Sequence, residues 1–405
     1  MNSRGHIFYV LLTLFIFLLP VNNSFEVVAM MNGLLPYRGW SIQLTPTSLK
    51  LYKDVFFVLF FILLFIGFLK YKDCRHQFNI PFVFPILFFL FVVILSFFFS
   101  LRSGDYFSAI SGLRSYLCLV YLLVGISVSY YFDYKRISTA FIIVFLIHLT
   151  LQIVQYLMAV GLPVFGEMRS PGIFIVPATS GLFSLLAIFY FKHCEKWWLF
   201  FISLLSLVLS TSTIGLLSLV VAYSYTVSDR LFGRNVLVKS IVSFSLLIIS
   251  ISVFFLYAAQ LSGRGDAVFE SLNGRISIIT SFFDSAGFDD FVYGGRFGLV
   301  TAQAVLSNQD AGFVADNTFL ALYASMGFFS LIPFVIFVVL TFILSRDKIL
   351  PIGMLLYAMT ANIFELSPVS QLLFLFIGIN IGGIKYVEHN FNRVNYKNTK
   401  ASESN

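Results

Sequence analysis

Several arginines lie in the polar segments between long apolar runs of this chain, and they are the residues best suited to chemistry. The group consists of Arg114, Arg169, Arg264, Arg275 and Arg296. A planar guanidinium can donate two parallel hydrogen bonds to phosphate oxygens. The group therefore predicts a phosphate or pyrophosphate site. The alternative for any single arginine is a surface residue or a helix anchor.

Two carboxylates lie close to these arginines in sequence. Asp316 precedes a long apolar run, and Glu167 lies two residues before Arg169. A carboxylate whose pKa is raised by burial can act as a general base. Asp316 is the first candidate for that role and Glu167 the second. For Asp316 the alternative role is the N-cap of the following helix. Glu365 is a third carboxylate, interpreted as a helix-end residue.

Three further polar residues share one face of a predicted helix. His148, Gln152 and Gln155 are spaced i, i+4 and i+7 inside an apolar run. Polar side chains in a membrane are costly and are often functional. They also form hydrogen bonds between helices, and this structural interpretation is the favoured one. The three cysteines are far apart, without metal-ligand spacing, so neither a disulfide, a metal nor a cofactor is predicted.

The composition places these residues in a membrane protein. The 405 residues are 59% hydrophobic and only 11% charged, and the mean hydropathy is +0.92. Globular domains carry about 25% charged residues. The net charge of +7 does not indicate nucleic-acid binding, because the basic residues form short clusters between apolar runs, as membrane orientation requires.

Apolar runs separated by charged residues predict about 12 transmembrane helices, since a bilayer needs roughly 17–25 apolar residues per helix. The predicted spans cover 7–25, 54–69, 80–99, 115–132, 137–160, 173–191, two within 197–225, 240–259, 317–344, 350–364 and 372–384. The stretch 197–225 is too long for one upright helix, and its central Ser210-Thr211-Ser212-Thr213 predicts a hairpin. The fold class is an all-α polytopic membrane protein.

The basic residues predict an orientation with both termini in the cytoplasm. Alternating spans then leave only nine of the 26 lysines and arginines outside, in agreement with the positive-inside rule. The nine are Arg38, Lys50, Lys53, Arg102, Arg114, Arg169, Arg264, Arg275 and Arg296.

The chain divides into four predicted parts. Nine spans with short loops occupy 1–259, a large external loop covers about 260–316, three spans occupy 317–384, and a cytoplasmic tail covers 385–405. A structureless loop of that size is improbable unless it is functional. Ile276, Ile279 and Phe283 predict a short helix within it.

Three short motifs follow one another in the second half of the chain. They are Arg169-Ser170-Pro171-Gly172; Gly274-Arg275 followed by Tyr293-Gly294-Gly295-Arg296-Phe297-Gly298; and Asp316-Asn317-Thr318-Phe319-Leu320. The glycines of the second motif would let backbone approach a ligand closely. Over about 165–330, the order of the motifs resembles the superfamily of O-antigen polymerases (Wzy) and O-antigen ligases (WaaL). Asp316 stands where the ligases have His, which favours a polymerase.

The resemblance implies a metal-independent glycosyltransferase of the bacterial inner membrane, with its active site facing the periplasm. Undecaprenyl-pyrophosphate-linked oligosaccharides would be both donor and acceptor, membrane lipid would surround the protein, and a chain-length regulator would be a partner. Asp316, Arg275 and Glu167 are the expected catalytic residues. The expected binding residues for pyrophosphate or glycan are Arg169, Arg275, Arg296, Arg264, Arg114 and Asn317.

Other functions stay open at this point. A ligase of the same fold would transfer a finished glycan to lipid A-core. A lipid-linked oligosaccharide flippase should carry charges deep within several spans and have pseudo-symmetric halves, and a scaffold would need no external arginines.

Overall fold

A computed structural model describes most of the chain and shows a bundle of helices. The described residues are 3–34, 44–70, 83–102, 106–131, 133–160, 162–164, 167–232, 292–300, 315 and 317–382, with 245, 252, 273–274, 276–277 and 280. The predicted span 240–259, most of the loop 260–316 and the tail 385–405 lie outside these ranges. At 273–274, 276–277 and 280 the chain is helical, which agrees with the helix predicted there.

Fifteen α-helices are described, together with one short ribbon. The helices are α1 Ser3–Phe17, α2 Ser24–Met31, α3 Thr47–Lys50, α4 Tyr52–Lys70, α5 Val83–Arg102, α6 Tyr106–Tyr116, α7 Val120–Tyr131, α8 Ser138–Met158, α9 Pro177–His193, α10 Trp197–Leu209, α11 Thr213–Phe232, α12 Thr318–Met326, α13 Phe328–Leu344, α14 Ile349–Thr360 and α15 Val369–Gly382. Strand β1 Leu162–Val164 pairs antiparallel with β2 Glu167–Arg169, with Leu162 opposite Arg169.

Several of the described helices have the length and composition of membrane spans. Four segments are long and apolar enough to cross a bilayer: Gly5–Met31, Val83–Arg102, Tyr106–Ser129 and Lys135–Met158. Helices α10, α13, α14 and α15 are shorter and also apolar. Large apolar side chains cover the outside of the bundle, including Phe84 at 75% exposure and Phe99 at 69%. Such a surface is suited to lipid, as expected for a membrane protein.

One end of the bundle, here called the basic end, joins polar groups from five helix termini. Lys192 at the end of α9 pairs with Asp347, with 2.6 Å between Nζ and Oδ2. The backbone N–H of Asp347 donates to Asn380 of α15, and Lys196 donates to Ser138 at the start of α8. The second helix of the predicted hairpin returns to this end, because Lys192 Nζ lies 5.6 Å from the centre of the Tyr223 ring in α11.

The opposite end, here called the loop end, is held by a second set of contacts. Lys50 pairs with Glu26, with 3.1 Å between Nζ and Oε1. Tyr116 at the end of α6 donates to Ser325 of α12, with 2.9 Å between the hydroxyl oxygens. Helices α8 and α9 each have one terminus at the basic end, so the segment that joins Met158 to Pro177 lies at the loop end.

The predicted span 317–344 is wrong as a single helix. It divides at Gly327, where φ is +67°, and α12 turns back along α13. Ser330 Oγ donates to the carbonyl oxygen of Leu322 at 3.0 Å, and the rings of Phe319 and Phe334 are 5.7 Å apart. The nine residues of α12 span about 13 Å, so α12 is re-entrant and does not cross the bundle.

Other predicted spans also change at their ends. The span 7–25 is interrupted by a 3₁₀ turn at Leu19–Asn23, which has Pro20 in its first positions. The span 115–132 begins earlier, at Tyr106. The span 350–364 ends at Thr360, because the backbone leaves the helix there and α15 begins only at Val369.

Small residues allow α7 and α15 to cross closely. A Cβ atom added at Gly378 would lie 3.0 Å from the Cα of Gly125, and one added at Gly382 would lie 3.2 Å from the Cα of Ile126. Gly378 and Gly382 are four residues apart, which is the spacing of small residues at tight helix crossings in membranes. This crossing packs α15, with its Asn380 at the basic end, against the centre of the bundle.

Candidate functional site

Arg169 lies at the loop end, at the start of a short segment that leads from β2 to α9. Strand β2 ends at Arg169 and α9 begins at Pro177, so the connecting segment is 170–176. A connection this short is held by the residues that contact it. The supports come from α8, whose polar face points toward the segment.

Gln155 binds the backbone of this segment as another backbone strand would. The N–H of Gly172 donates to Gln155 Oε1 at 2.8 Å, and Gln155 Nε2 donates to the carbonyl oxygen of Gly172 at 2.9 Å. Both groups are buried. One amide thus satisfies a donor and an acceptor that would otherwise be costly to bury.

His148 and Gln152 hold the same segment at two more points. The N–H of Ile173 donates to His148 Nδ1 at 3.3 Å. Gln152 Nε2 donates to the carbonyl oxygen of Ser170 at 3.2 Å, and Ser206 Oγ of α10 donates to Gln152 Oε1 at 2.6 Å. The structural interpretation of the three polar residues of α8 is confirmed: they fix the backbone that follows Arg169.

Gly172 is required by the same arrangement. Its φ is +66°, and an added Cβ would overlap the His148 ring and lie 2.9 Å from the His148 carbonyl oxygen. Positive φ favours glycine, and the close approach excludes any side chain. The glycine of the first motif therefore packs against α8.

The Arg169 side chain carries a donor that the fold leaves open. Its Nε is buried and has no hydrogen-bond partner among the residues that the structure describes. Burial lowers the pKa of the guanidinium, yet an arginine stays charged near neutral pH because its ordinary pKa is above 12. A buried donor without an acceptor costs about 1–3 kcal/mol, and an anionic ligand would remove that cost.

Arg296 lies on a loop that is pressed against α12. Its backbone N–H donates to the Ala324 carbonyl oxygen at 3.1 Å, and its neighbour Phe297 is buried 5.8 Å from the ring of Tyr116. The loop joins α6, α12 and the turn at Gly327 on one side of the loop end.

Two glycines of this loop, Gly294 and Gly298, pack tightly against backbone of neighbouring elements. An added Cβ at Gly294 would lie 2.5 Å from the backbone nitrogen of Gly327, and one at Gly298 would overlap the carbonyl group of Ser108 in α6. Both have positive φ, +79° and +78°. The close contacts seen at these two glycines are with the protein's own backbone, and the expected approach to a ligand stays a prediction.

Arg114 is already paired with a carboxylate. Its Nε donates to Asp54 Oδ1 at 3.0 Å, and an Nη lies 2.7 Å from Oδ2. Both side chains are about one-third exposed, at 34% and 38%. The role of Asp54 was not predicted, because 60 residues separate it from Arg114 and the sequence gives no signal that joins them.

Asn317 makes the helix cap that the alternative interpretation assigned to Asp316. Its Oδ1 accepts from the N–H groups of Phe319 at 2.8 Å and Leu320 at 3.2 Å. Its Nδ2 donates to the carbonyl oxygen of Met359 at 3.1 Å. The N-cap interpretation of Asp316 is therefore wrong, and the amide of Asn317 has structural partners beside any glycan contact.

The roles of all the predicted site residues stay predictions, and the side chains of four of them lie outside what the structure describes. Asp316, Arg275 and Arg264 lie outside the described residues. Glu167 is in β2, and its carboxyl group also lies outside what the structure describes. Glu365, the third carboxylate, lies on the non-helical segment between α14 and α15, where Asn362 Nδ2 donates to its Oε1 at 2.9 Å.

Replacing Gln155 with leucine is expected to destabilise the protein by about 2–4 kcal/mol, because both the N–H and the carbonyl of Gly172 would lose their buried partner. Thermal unfolding of the detergent-purified protein measures the change. Tyr156→Leu is the matched control, since Tyr156 is the next residue of α8 and is 65% exposed. Equal melting temperatures for the two variants would contradict the assigned role of Gln155.

Comparisons of the chain with protein-family models, with curated proteins and with solved structures found no match.

Proposed function

We propose that this protein is an O-antigen polymerase, which joins undecaprenyl-pyrophosphate-linked repeat units at the periplasmic face of the bacterial inner membrane. The observation that carries the proposal is Arg169, a charged side chain at the loop end whose buried Nε–H has no acceptor in the described part of the chain. The order of the three sequence motifs supports it, as does a set of apolar helices suited to a lipid environment.

The arginine chemistry fits the transfer of a glycan from pyrophosphate. The bond between the sugar's anomeric carbon and the pyrophosphate oxygen breaks, and the leaving pyrophosphate gains negative charge. A guanidinium fixed in place before the reaction stabilises that charge without reorganising. The backbone that follows Arg169 is fixed by α8, which supports a defined position for its side chain. Arg275 is proposed to act with it.

The acceptor must lose a proton as the new glycosidic bond forms. Its hydroxyl oxygen attacks the anomeric carbon, and a carboxylate accepts the proton. Asp316 is proposed as this base, with Glu167 as the alternative. Asn317 fixes the start of α12 next to Asp316 in sequence through its cap, which gives the proposed base a rigid support on one side.

The proposed orientation places the loop end in the periplasm and both termini in the cytoplasm, with about 12 spans. Ion pairs at the basic end connect segments with an excess of lysine, including Lys135, Lys192 and Lys196. Cytoplasmic segments carry such an excess. This distribution supports the orientation independently of the motifs.

Deleting the gene tests the function directly. The expected lipopolysaccharide on a gel is core carrying a single repeat unit, because repeats would still be flipped and ligated but not joined. Wild type should restore the ladder and Arg275→Ala should not, at equal protein level. Arg230→Ala is the matched control, since Arg230 is exposed in the last turn of α11, away from the loop end.

Other outcomes of the deletion would contradict the polymerase. Bare core with lipid-linked polymer accumulating outside would indicate a ligase. Single lipid-linked units trapped on the cytoplasmic side would indicate a flippase, and the site residues would then be wrong.

A further inference from the structure

The side-chain amine of Lys53 at the loop end has a hydroxyl, and not a carboxylate, as its partner among the described residues. It lies in the first turn of α4 and is partly buried. Its Nζ donates to Ser367 Oγ at 3.2 Å, and within the described ranges no ion pair of Lys53 is found. A neutral hydroxyl cannot balance an ammonium group that has lost much of its water.

The charged groups around Lys53 are engaged elsewhere. Glu26 is fully buried and binds Lys50 together with the backbone N–H groups of Leu44 and Thr45. Asp54, the next residue of α4, holds the guanidinium of Arg114 at two positions. Lys53 therefore has no carboxylate of its own among these groups. Burial, with Arg114 and Lys50 nearby, lowers the pKa of Lys53 to about 7, and a bound anion would favour its charged form.

The partner of Lys53 lies on the irregular segment between α14 and α15. Ser367 Oγ donates to Gln371 Oε1 at 3.2 Å, and Gln371 is only 8% exposed. The Nε2 group of Gln371 has no recorded acceptor in the part of the chain that the structure describes. The Lys53 ammonium and the Gln371 amide oxygen thus contact the same hydroxyl. The two remaining ammonium protons are donors that an oxyanion can accept.

The irregular backbone between α14 and α15 is held in place by its neighbours. Non-helical backbone at membrane depth is tolerated where protein buries it or where it lines a polar cavity. Asn362 of this segment and Ser370 in the first turn of α15 are both buried. The segment is joined to α12 as well, because the N–H of Ile363 donates to Thr318 Oγ1 at 3.0 Å.

We propose that Lys53, with Ser367 and Gln371, binds a phosphate group carried by a lipid. Lysine binds phosphate as a point charge with three donors, and a lipid brings its phosphate to the depth of the first turn of α4. The phosphate belongs either to a polyprenyl pyrophosphate or to an anionic phospholipid. The first choice rests on the proposed function, for which Lys53 would be a phosphate anchor separate from Arg169.

The test measures ligand-induced thermal stabilisation of the full-length protein. Farnesyl pyrophosphate is titrated against protein in phosphatidylcholine nanodiscs, and a second sample contains phosphatidylglycerol without added pyrophosphate. We expect Lys53→Gln to weaken the binding of the stabilising ligand by about 10- to 100-fold, as the loss of a charged hydrogen bond predicts. Stabilisation by farnesyl pyrophosphate identifies the lipid-linked substrate as the source, and stabilisation by phosphatidylglycerol alone identifies the phospholipid.

Two control variants keep the result interpretable. Lys53→Arg retains the charge and should retain binding, and Lys135→Gln removes a half-exposed lysine at the basic end and should bind as wild type does. Unchanged binding in Lys53→Gln would overturn the proposal, as would equal loss in Lys135→Gln. Loss of binding in Lys53→Gln together with a ligase or flippase phenotype on deletion would overturn the polymerase and leave the phosphate site standing.

Discussion

Replacing Gly298 with alanine is expected to destabilise the protein by about 3 kcal/mol or more, which is enough to remove most folded protein from the membrane. The backbone φ of +78° places any side chain in the disfavoured left-handed region. The added Cβ would also overlap the carbonyl group of Ser108. Helix α6 cannot easily move away, since a Cβ at its own Gly112 would lie 2.8 Å from the Cα of Gly298.

Gly33 offers the matched control for this prediction. Its φ of +68° is similar, but no atom lies within 4 Å of an added Cβ. Gly33→Ala should therefore cost only the backbone strain, about 1–2 kcal/mol. Thermal unfolding and the monodisperse fraction on size exclusion measure both variants. If the two alanine variants melt at the same temperature, the loop 292–300 does not pack on α6 as described.

The positions of most helices could be predicted because hydrophobic length decides them. The run 54–69 lies within α4 Tyr52–Lys70, and the run 137–160 matches α8 Ser138–Met158. The break predicted at Ser210–Thr213 is present between α10 and α11. In each case charged or hydroxyl residues interrupt the apolar run, so the ends of these helices can be located from the sequence.

The re-entrant helix α12 could not be predicted in the same way. Apolar residues continue on both sides of Gly327, and glycine is common inside membrane helices, so nothing in the composition marks a turn there. What decides the turn is the neighbouring loop: an added Cβ at Gly327 would lie 2.5 Å from the carbonyl carbon of Val292. That contact joins residues 35 positions apart in sequence.

In the candidate site, too, contacts within one helix could be predicted and contacts between distant segments could not. The shared face of His148, Gln152 and Gln155 follows from helical spacing, and a structural role could be inferred from it. Their common target, the backbone of 170–173, could not, because it lies 17 or more residues further along the chain. The pairing of Arg114 with Asp54 is more distant still and has no local signature.

These contacts separate two kinds of arginine at the loop end. Arg114 already has a carboxylate, so a ligand would have to compete with Asp54 for its donors. Among the described residues, Arg169 Nε has no partner and the backbone that follows it is fixed, so an anion could bind there without displacing a described carboxylate. Electrostatic stabilisation of a transition state depends on such prior positioning, which makes Arg169 the better candidate of the two.

Replacing Arg169 with methionine is expected to lower polymerisation by about 100- to 1000-fold, the usual cost of removing one fixed donor from a charge-stabilising site. Stability should stay constant or rise slightly, because the change removes a buried donor that lacks a partner. Activity is measured as the ladder formed per amount of protein, and stability as the melting temperature in detergent. Arg169→Lys should recover little activity, since an ammonium lacks the planar fork of the guanidinium.

The combination of the two measurements decides between a functional and a structural role. A structural arginine would lose activity and melting temperature together, as Gln155→Leu should. A functional arginine loses activity alone. Wild-type ladders from Arg169→Met, or a melting temperature that falls as far as that of Gln155→Leu, would contradict the assignment of the open Nε donor to the substrate's pyrophosphate.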